Sequence, residues 1–234
     1  HPNISKILEF YTSQKAYYII TQYCQCGELY SQIKNNFDEN QLAVLFFQIF
    51  SGLLYLHTNN IIHRDLKLEN VLVKEEREIT NGKLTYKKYD VKIADFGCAI
   101  QYFENENNTK GISTQHKMNL DSEEQNELSG TPEYFAPELI NGGNYTFAVD
   151  TWAVGIMAFE LFCRNSPFTS IDKGKILEKI KKYMFAQSFD WQIQNKGGSK
   201  NFIEMIRAFM ERDPKKRIQI EDIHKLKIFQ SYAE

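Results

Sequence analysis

His63-Arg64-Asp65-Leu66-Lys67-Leu68-Glu69-Asn70, followed further on by Asp95-Phe96-Gly97, is the stretch on which the reading of this chain turns. The first segment gathers a carboxylate (Asp65), an ammonium (Lys67) and a carboxamide (Asn70) within one short loop, and the second adds another carboxylate (Asp95). Each borders a short apolar run, Val71 to Val73 and Val91 to Ala94, with the composition of a buried strand. Between those runs lies a charged insert with Asn81-Gly82 at its centre, flanked by Ile79, Leu84 and Tyr86, which reads as an exposed hairpin near 74–90.

Upstream, Ala16 to Tyr23 reads as a strand rich in Tyr and Ile, broken at Cys26-Gly27 before a short helix from Glu28 to Lys34. Asp38 with Gln41 three residues on forms a capping box. It opens an amphipathic helix through Leu42, Leu45, Phe46, Ile49, Leu53 and Leu56, which His57 to Asn60 ends. Downstream, residues 101–129 have no sustained period and the composition of a mobile loop. Phe147 to Phe162 is hydrophobic nearly all round, as a buried central helix would be. Amphipathic helical segments follow at Asp172 to Tyr183, Ser199 to Glu211 and Glu221 to Phe229. The expected fold class is α+β, with a helical C-terminal body.

The bulk properties narrow the function. The chain has 234 residues, of which 42% are hydrophobic and 14% aromatic, enough to bury a sizeable core. A formal net charge of -2, with both signs scattered along the length, leaves no strongly basic surface for nucleic acid. The four cysteines, Cys24, Cys26, Cys98 and Cys163, lack zinc-site spacing and read as reduced thiols of a cytosolic or nuclear protein. Leu42 to Leu56 and Phe147 to Phe162 are read as core helices too short to span a bilayer, and the start at His1 has no signal-peptide pattern. Neither nucleic acid nor a membrane is an expected partner.

Phosphoryl transfer from ATP needs a metal held against the phosphates, a carboxylate to orient the attacking hydroxyl, and positive charge for the developing negative charge. The two loops carry those groups: Asp65 as base, Lys67 toward the transferred group, and Asn70 and Asp95 as ligands of Mg²⁺, a hard cation suited to oxygen donors beside phosphates. In chain order, Asp-Phe-Gly is followed by Gly130-Thr131-Pro132-Glu133-Tyr134, Ala136-Pro137-Glu138 and Asp150-Thr151-Trp152-Ala153-Val154-Gly155. On this ordered set the chain resembles the protein kinase family over nearly its whole length. Lys67 two residues past Asp65, and Thr131 in its run, resemble the serine/threonine branch. Tyr17-Tyr18-Ile19-Ile20 leading to Gly27-Glu28-Leu29-Tyr30 is similar to the calcium/calmodulin-dependent and calcium-dependent protein kinase group.

The resemblance implies further roles. Thr21 matches the gatekeeper of the adenine pocket, Gln22 to Cys24 the hinge, Glu28 the ribose-binding acid, and Leu72 the side chain beneath adenine. His63 and Phe96 match members of a stacked spine, and Gly97 a structural position beside them. Asp150 matches an anchor of the catalytic loop backbone, and Glu138 and Arg217 an ion pair tying the activation segment to the helical body. Residues 1–23 then correspond to a remnant of an N-terminal lobe and the start of the hinge. Residues 24–234 correspond to the C-terminal lobe, with an activation segment at 95–138.

Glu28, Glu69, Glu133 and Glu160 match positions that receive Arg upstream of a target hydroxyl, where carboxylates pair with guanidinium. Leu128, Pro132 and Phe135 match the pocket for the residue after it. Glu127 stands where relatives carry a phosphorylated hydroxyl, so a fixed carboxylate is expected to pair with Arg64 without phosphate. The alternative is phosphorylation at Thr109, Ser113, Thr114, Ser122 or Ser129. A regulatory segment or calcium sensor outside the chain is an expected partner.

The family's glycine-rich loop, strand Lys and helix Glu have no match here, so ATP lacks a roof and the chain by itself is expected to be inactive. Two rival readings stand beside the enzyme: a pseudokinase scaffold, which has no chemical need for Asp65, Lys67, Asn70 and Asp95 together, and a small-molecule kinase, against which the Ala-Pro-Glu segment and long activation loop weigh.

Overall fold

The capping signal at Asp38 starts the longest helix. In the computed structural model, which describes residues 1–81, 84–104, 110–112, 128–183 and 187–232, the Asp38 carboxylate accepts from the Gln41 N–H at 2.8 Å, and the Gln41 side chain accepts from the Asp38 N–H at 3.0 Å. The helix they open, α1 (Glu39–Thr58), buries Leu42, Leu45, Phe46, Ile49, Phe50, Leu53 and Leu56 on one face. With 20 residues it is the one helix among those described that is long and apolar enough to cross a membrane. Leu42 to Leu56 thus lies in a helix that is not too short to span a bilayer, and it is the burial of one face that places α1 in the core.

That face meets α3 (Ala148–Cys163), every residue of which is buried. Arg164, at φ 60°, ends α3 by turning left-handed, with its N–H donating to the Glu160 carbonyl at 2.7 Å. α6 (Lys200–Phe209), opened by the Ser199 hydroxyl accepting from the Phe202 N–H, packs on α3 where Gly155 permits close approach. A Cβ there would lie 2.8 Å from Met210 Cγ and 2.9 Å from Phe209 Cβ. Overpacking of this kind typically costs about 1–3 kcal/mol. Gly155→Ala is therefore expected to lower the urea midpoint correspondingly, and an unchanged midpoint would show that α6 can shift freely.

α4 (Lys173–Lys181) agrees with the expected helix, whereas α2 (Pro137–Ile140) and α5 (Gln187–Asn195) had no separate sequence signal. The helix expected over Glu221 to Phe229 is instead two 3-10 segments, Ile220–Lys225 and Lys227–Tyr232, separated by an extended Leu226 at ψ 128°. This break accompanies an edge-on contact of Phe229 with Phe50, ring centres 5.3 Å apart. The helix expected over Glu28 to Lys34 is a single 3-10 turn, Leu29–Gln32, with no side-chain cap to extend it.

Among the described residues, three small sheets complete the fold. β1 (Ile7–Thr12) and β2 (Tyr17–Thr21) pair antiparallel, and every residue of both is exposed. β1 escaped the sequence reading because neither face is selected by burial, so no alternation marks it. β4 (Val71–Asn81) and β5 (Leu84–Ile93) form one continuous ladder with an irregularity at Lys74. The insert thus extends the two apolar strands directly. Its charges partner across the ribbon, with Lys87 2.5 Å from Glu76 and Lys74 3.7 Å from Asp90.

β3 (Ile61–Ile62), β6 (Ile100–Glu104) and β7 (Lys110–Ile112) form the third sheet. This corrects the reading of 101–129 as wholly loop: β6 and β7 are too short and too mixed in polarity to show a period. At the other end, His1 to Ser5 runs along β5, with Asn3 and Ser5 sharing backbone hydrogen bonds with Ile93.

Candidate active site

Asp150, buried near the start of α3, organises the loop that leaves β3. Its Oδ2 accepts from the His63 N–H at 2.9 Å, and its Oδ1 from the Arg64 N–H at 3.0 Å. His57 Nε2 lies 3.0 Å from the same Oδ2. Those bonds hold Arg64 left-handed (φ 67°), a conformation that costs a residue with a Cβ about 1 kcal/mol or more. The turn carries Asp65 away from the core.

His63 is buried between the two loops. Its Nδ1 accepts from the Asp65 N–H at 3.3 Å, so its Nε2–H donates to the Ala94 carbonyl at 3.0 Å. Its ring is 5.1 Å from that of Phe96. The Ala94 N–H in turn donates to the Asn70 carbonyl at 2.8 Å, fixing the Asp-Phe-Gly segment against the end of the first loop. Asp95 follows at φ 57°, exposed, with Oδ1 accepting from the Gly97 N–H at 3.1 Å.

Around Asp65 the hydrogen bonds close into a network. Asn70 Nδ2 donates to the Asp65 carbonyl at 2.8 Å and to Oδ2 at 3.0 Å. Lys67 Nζ is 3.1 Å from Oδ2 and donates to the Thr131 hydroxyl at 2.8 Å, which itself donates to Oδ1 at 2.8 Å. Gly130 makes this approach possible: at φ 118°, a Cβ would lie 2.7 Å from the Arg64 carbonyl oxygen and 3.4 Å from Asp65 Oδ1. The structure thus brings Asp65, Lys67, Asn70 and Thr131 together.

The donor set fits a hard divalent cation. Both amide hydrogens of Asn70 are committed to Asp65, and its Oδ1 has no hydrogen bond among the described residues. That oxygen and the exposed Asp95 carboxylate are the two groups available. No cluster of three or more His, Cys, Asp or Glu suited to a metal occurs among the described residues. Mg²⁺ needs few protein ligands because it keeps waters and shares phosphate oxygens.

Residues 26–28, just after the expected hinge at Gln22 to Cys24, are tied to β4. The Cys26 N–H donates to the Val73 carbonyl at 3.1 Å, and the Val73 N–H to the Gly27 carbonyl at 2.7 Å, while Glu28 and Leu72 share an isolated bridge. Gln22 is bound through its N–H to the Lys6 carbonyl. The backbone N–H groups of Tyr23 and Cys24 have no partner among the described residues. Thr21 is exposed at the end of β2 and Cys24 is buried. All four cysteines are free, Cys24 and Cys163 buried and Cys26 and Cys98 half-buried.

Three of the four expected acids also converge. Glu160 is buried and accepts from the Tyr134 hydroxyl. Burial, followed by the nearby charges of Glu69 and Glu133, holds its carboxyl above the usual carboxylate range despite that bond. Glu69 Oε2 is buried without a hydrogen-bond partner. Glu28 is exposed, just before the 3-10 turn Leu29–Gln32 that packs on the turn Leu68–Asn70. Leu128 is exposed, Pro132 half-buried and Phe135 buried, all on the stretch that docks through Gly130 and Thr131.

Arg64 Nε donates to the Cys98 carbonyl at 2.5 Å, and its guanidinium lies 4.9 Å from the ring centre of Tyr145. Glu127, Thr109, Ser113, Thr114 and Ser122 lie outside the described residues. The Ser129 N–H donates to the Tyr145 hydroxyl at 3.0 Å. Further off, Arg217 pairs with Glu138 through two bonds of 2.7 and 2.9 Å. His57, Tyr134 and Tyr145 are contacts the sequence reading missed. Only Tyr134 carried a signal, as the last residue of the run from Gly130.

Comparison with known proteins gives a consistent result. The protein kinase domain family matches residues 1–229. The chain is 34% identical over 220 residues to calcium-dependent protein kinase 6 of Plasmodium berghei, covering 93% of the chain and 13% of that protein. It is 29% identical over 225 residues to Aurora/IPL1-related protein kinase 2 of Caenorhabditis elegans, covering 95% and 62%. With serine/threonine-protein kinase 33 of Mus musculus it shares 31% identity over 184 residues, covering 78% and 34%. The chain thus spans between 13% and 62% of the length of these relatives.

Proposed function

The chain belongs to the protein kinase family, and on that premise we propose that it forms the catalytic part of an enzyme that transfers the γ-phosphoryl group of ATP to serine or threonine hydroxyls of proteins. One observation carries the reading: both oxygens of the Asp65 carboxylate are held, by Thr131 at 2.8 Å and by Asn70 and Lys67 at 3.0 and 3.1 Å. A base so fixed can orient an incoming hydroxyl and accept its proton. The Thr131 hydroxyl, already donating to Oδ1, is the same chemical donor as the substrate group. Lys67 supplies positive charge where the transferred group passes. Asn70 Oδ1 and Asp95 would hold Mg²⁺, which neutralises phosphate charge when bound. The hinge N–H groups without partners would meet adenine, with Leu72 below it, Glu28 toward the ribose and Thr21 at the back.

For substrate choice we propose a preference for Arg upstream of the target hydroxyl, received by Glu28, Glu69, Glu133 and Glu160. The buried, unpartnered Glu69 Oε2 and the raised pKa of Glu160 support it, because a guanidinium would satisfy the first and favour the charged form of the second. Glu160→Gln is expected to lower kcat/KM on an Arg-containing serine peptide about tenfold, while leaving a peptide with Ala in place of Arg nearly unaffected. Equal losses on both peptides would defeat the preference. A carboxyl whose folded pKa is raised costs stability once pH climbs past its unfolded value. The same variant should therefore raise the urea midpoint at neutral pH and leave it unchanged in acid, below that value. Leu128, Pro132 and Phe135 would take an apolar residue after the target.

For regulation we propose that Glu127 pairs with Arg64 in place of a phosphate, with activity governed by a segment or calcium sensor elsewhere in the protein. Arg64 has no carboxylate partner among the described residues. Phosphatase treatment is expected to leave activity intact, and Glu127→Ala to lower it about tenfold. A phosphatase-sensitive enzyme indifferent to Glu127→Ala would sink the idea. Residues 1–23 we read as part of an N-terminal lobe. Both faces of the β1–β2 ribbon are exposed, and a two-stranded ribbon is marginal alone. On that reading these residues without the rest of that lobe are inactive.

A further inference from the structure

The loop at Pro167–Phe168, α4 and α5 line an open cleft of about 600 Å³ that none of the catalytic or substrate residues above lines. Its floor is aromatic: Phe168 and Tyr183 are buried, with ring centres 5.3 Å apart, and Phe189 lies 5.6 Å from Tyr183. Trp152 of α3 supports the cluster, its ring centre 5.4 Å from that of Tyr183.

The rim has the opposite character. From Lys173 to Lys182 the chain has five lysines, at 173, 175, 179, 181 and 182, and one acid, Glu178. Ile176 and Ile180, one turn apart, are buried and fix the helix to the body. That leaves Lys175, Lys179 and Lys182 exposed along the edge of the cleft. Their charges are hardly neutralised. Lys182 is 3.7 Å from Glu178 in a pair that is mostly solvated. Lys179 donates to the Thr169 carbonyl, which is uncharged, and Lys175 has no acidic partner among the described residues. In a chain of formal net charge -2, this is a local excess of positive charge around an apolar depression.

We propose that this cleft is a docking site for an acidic segment of a partner protein that inserts one aromatic side chain against Phe168, Tyr183 and Phe189 while its carboxylates meet the three lysines. Charge complementarity selects the acidic segment, and the aromatic floor selects the anchor. The inference does not depend on phosphoryl transfer. It has a consequence for it: α4 also packs against the 3-10 turn Pro132–Tyr134, so a partner held here sits beside the substrate-facing segment.

The test uses the full-length protein and a fluorescein-labelled decapeptide of Asp and Glu with one central Phe, followed by fluorescence anisotropy at low and physiological salt. Saturable binding is expected, weakened about tenfold or more by combined Lys175→Glu, Lys179→Glu and Lys182→Glu, and about tenfold when the central Phe is replaced by Ala. The neutral variant with Gln at the same three positions should fall between. Because the three lysines are on the surface, the Gln variant should keep its thermal midpoint, and transfer to a short, non-acidic peptide should not change in either variant. Undiminished binding by the charge-reversed protein, or equal binding of the peptide lacking Phe, would overturn the proposal. So would a preference for phosphatidylserine vesicles over the peptide, which would make the lysine face a membrane contact.

Discussion

Asp65→Asn is expected to lower phosphoryl transfer about 10³-fold, within the range attributed to a positioned general base, while leaving the fold intact. The substitution keeps size and shape but removes the charge and the capacity to take a proton. It also introduces an amide donor among three donors, the Thr131 hydroxyl, Asn70 Nδ2 and Lys67 Nζ, that now converge on acceptor oxygens. The local backbone should survive, because Asp150 holds it through the His63 and Arg64 N–H groups rather than through the Asp65 side chain. Single-turnover rates with saturating ATP, together with a urea titration, separate the two effects. A variant keeping more than about a tenth of the rate would remove Asp65 from the chemistry.

Glu138→Ala is expected to destabilise the protein by about 3–5 kcal/mol, the usual result of leaving one partner of a buried pair without the other. Arg217 is buried and donates to the carbonyls of Glu211, Ala148 and Arg212, at 2.7, 2.8 and 3.3 Å, with its guanidinium 5.1 Å from the Trp152 ring centre. Those neighbours satisfy hydrogen bonds but bring no negative charge. Glu138 supplies it, through a two-pronged contact that Lys at 217 could not reproduce. Urea midpoints of Glu138→Ala, Arg217→Met and the double variant would show the double losing less than the sum of the singles. A loss below about 1 kcal/mol for Glu138→Ala would mean that water reaches Arg217 once the carboxylate is gone.

What could be read in the sequence was what local chemistry decides. Asp38 and Gln41 announce α1 because a capping box needs only four residues, and α3 is evident because burial on all sides leaves a nearly unbroken apolar run. The two loops carrying Asp65 and Asp95 were recognisable by their ordered residue types. The distant contacts that complete the site were not. Thr131 reaches Asp65 across 66 residues, and only the folded chain reveals that Gly130 is needed for the approach.

His57 shows the same limit in another form. As a sequence feature it marks the end of a helix, yet its ring meets Asp150 in the core, 93 residues away. β6 and β7 went unread because five and three residues of mixed polarity carry no usable period. At Leu226 a single extended residue divides what the apolar spacing presents as one helix. Such breaks are decided by packing, here the seating of Phe229 against Phe50.

Phosphoamino-acid analysis is the most direct measurement of the proposed activity. Full-length protein would be incubated with γ-labelled ATP, Mg²⁺ and a peptide offering Ser, Thr and Tyr downstream of Arg. Label on serine and threonine, abolished by Asp65→Asn, is the expected result. No labelled hydroxyl, label on tyrosine alone, or undiminished labelling by Asp65→Asn would contradict it.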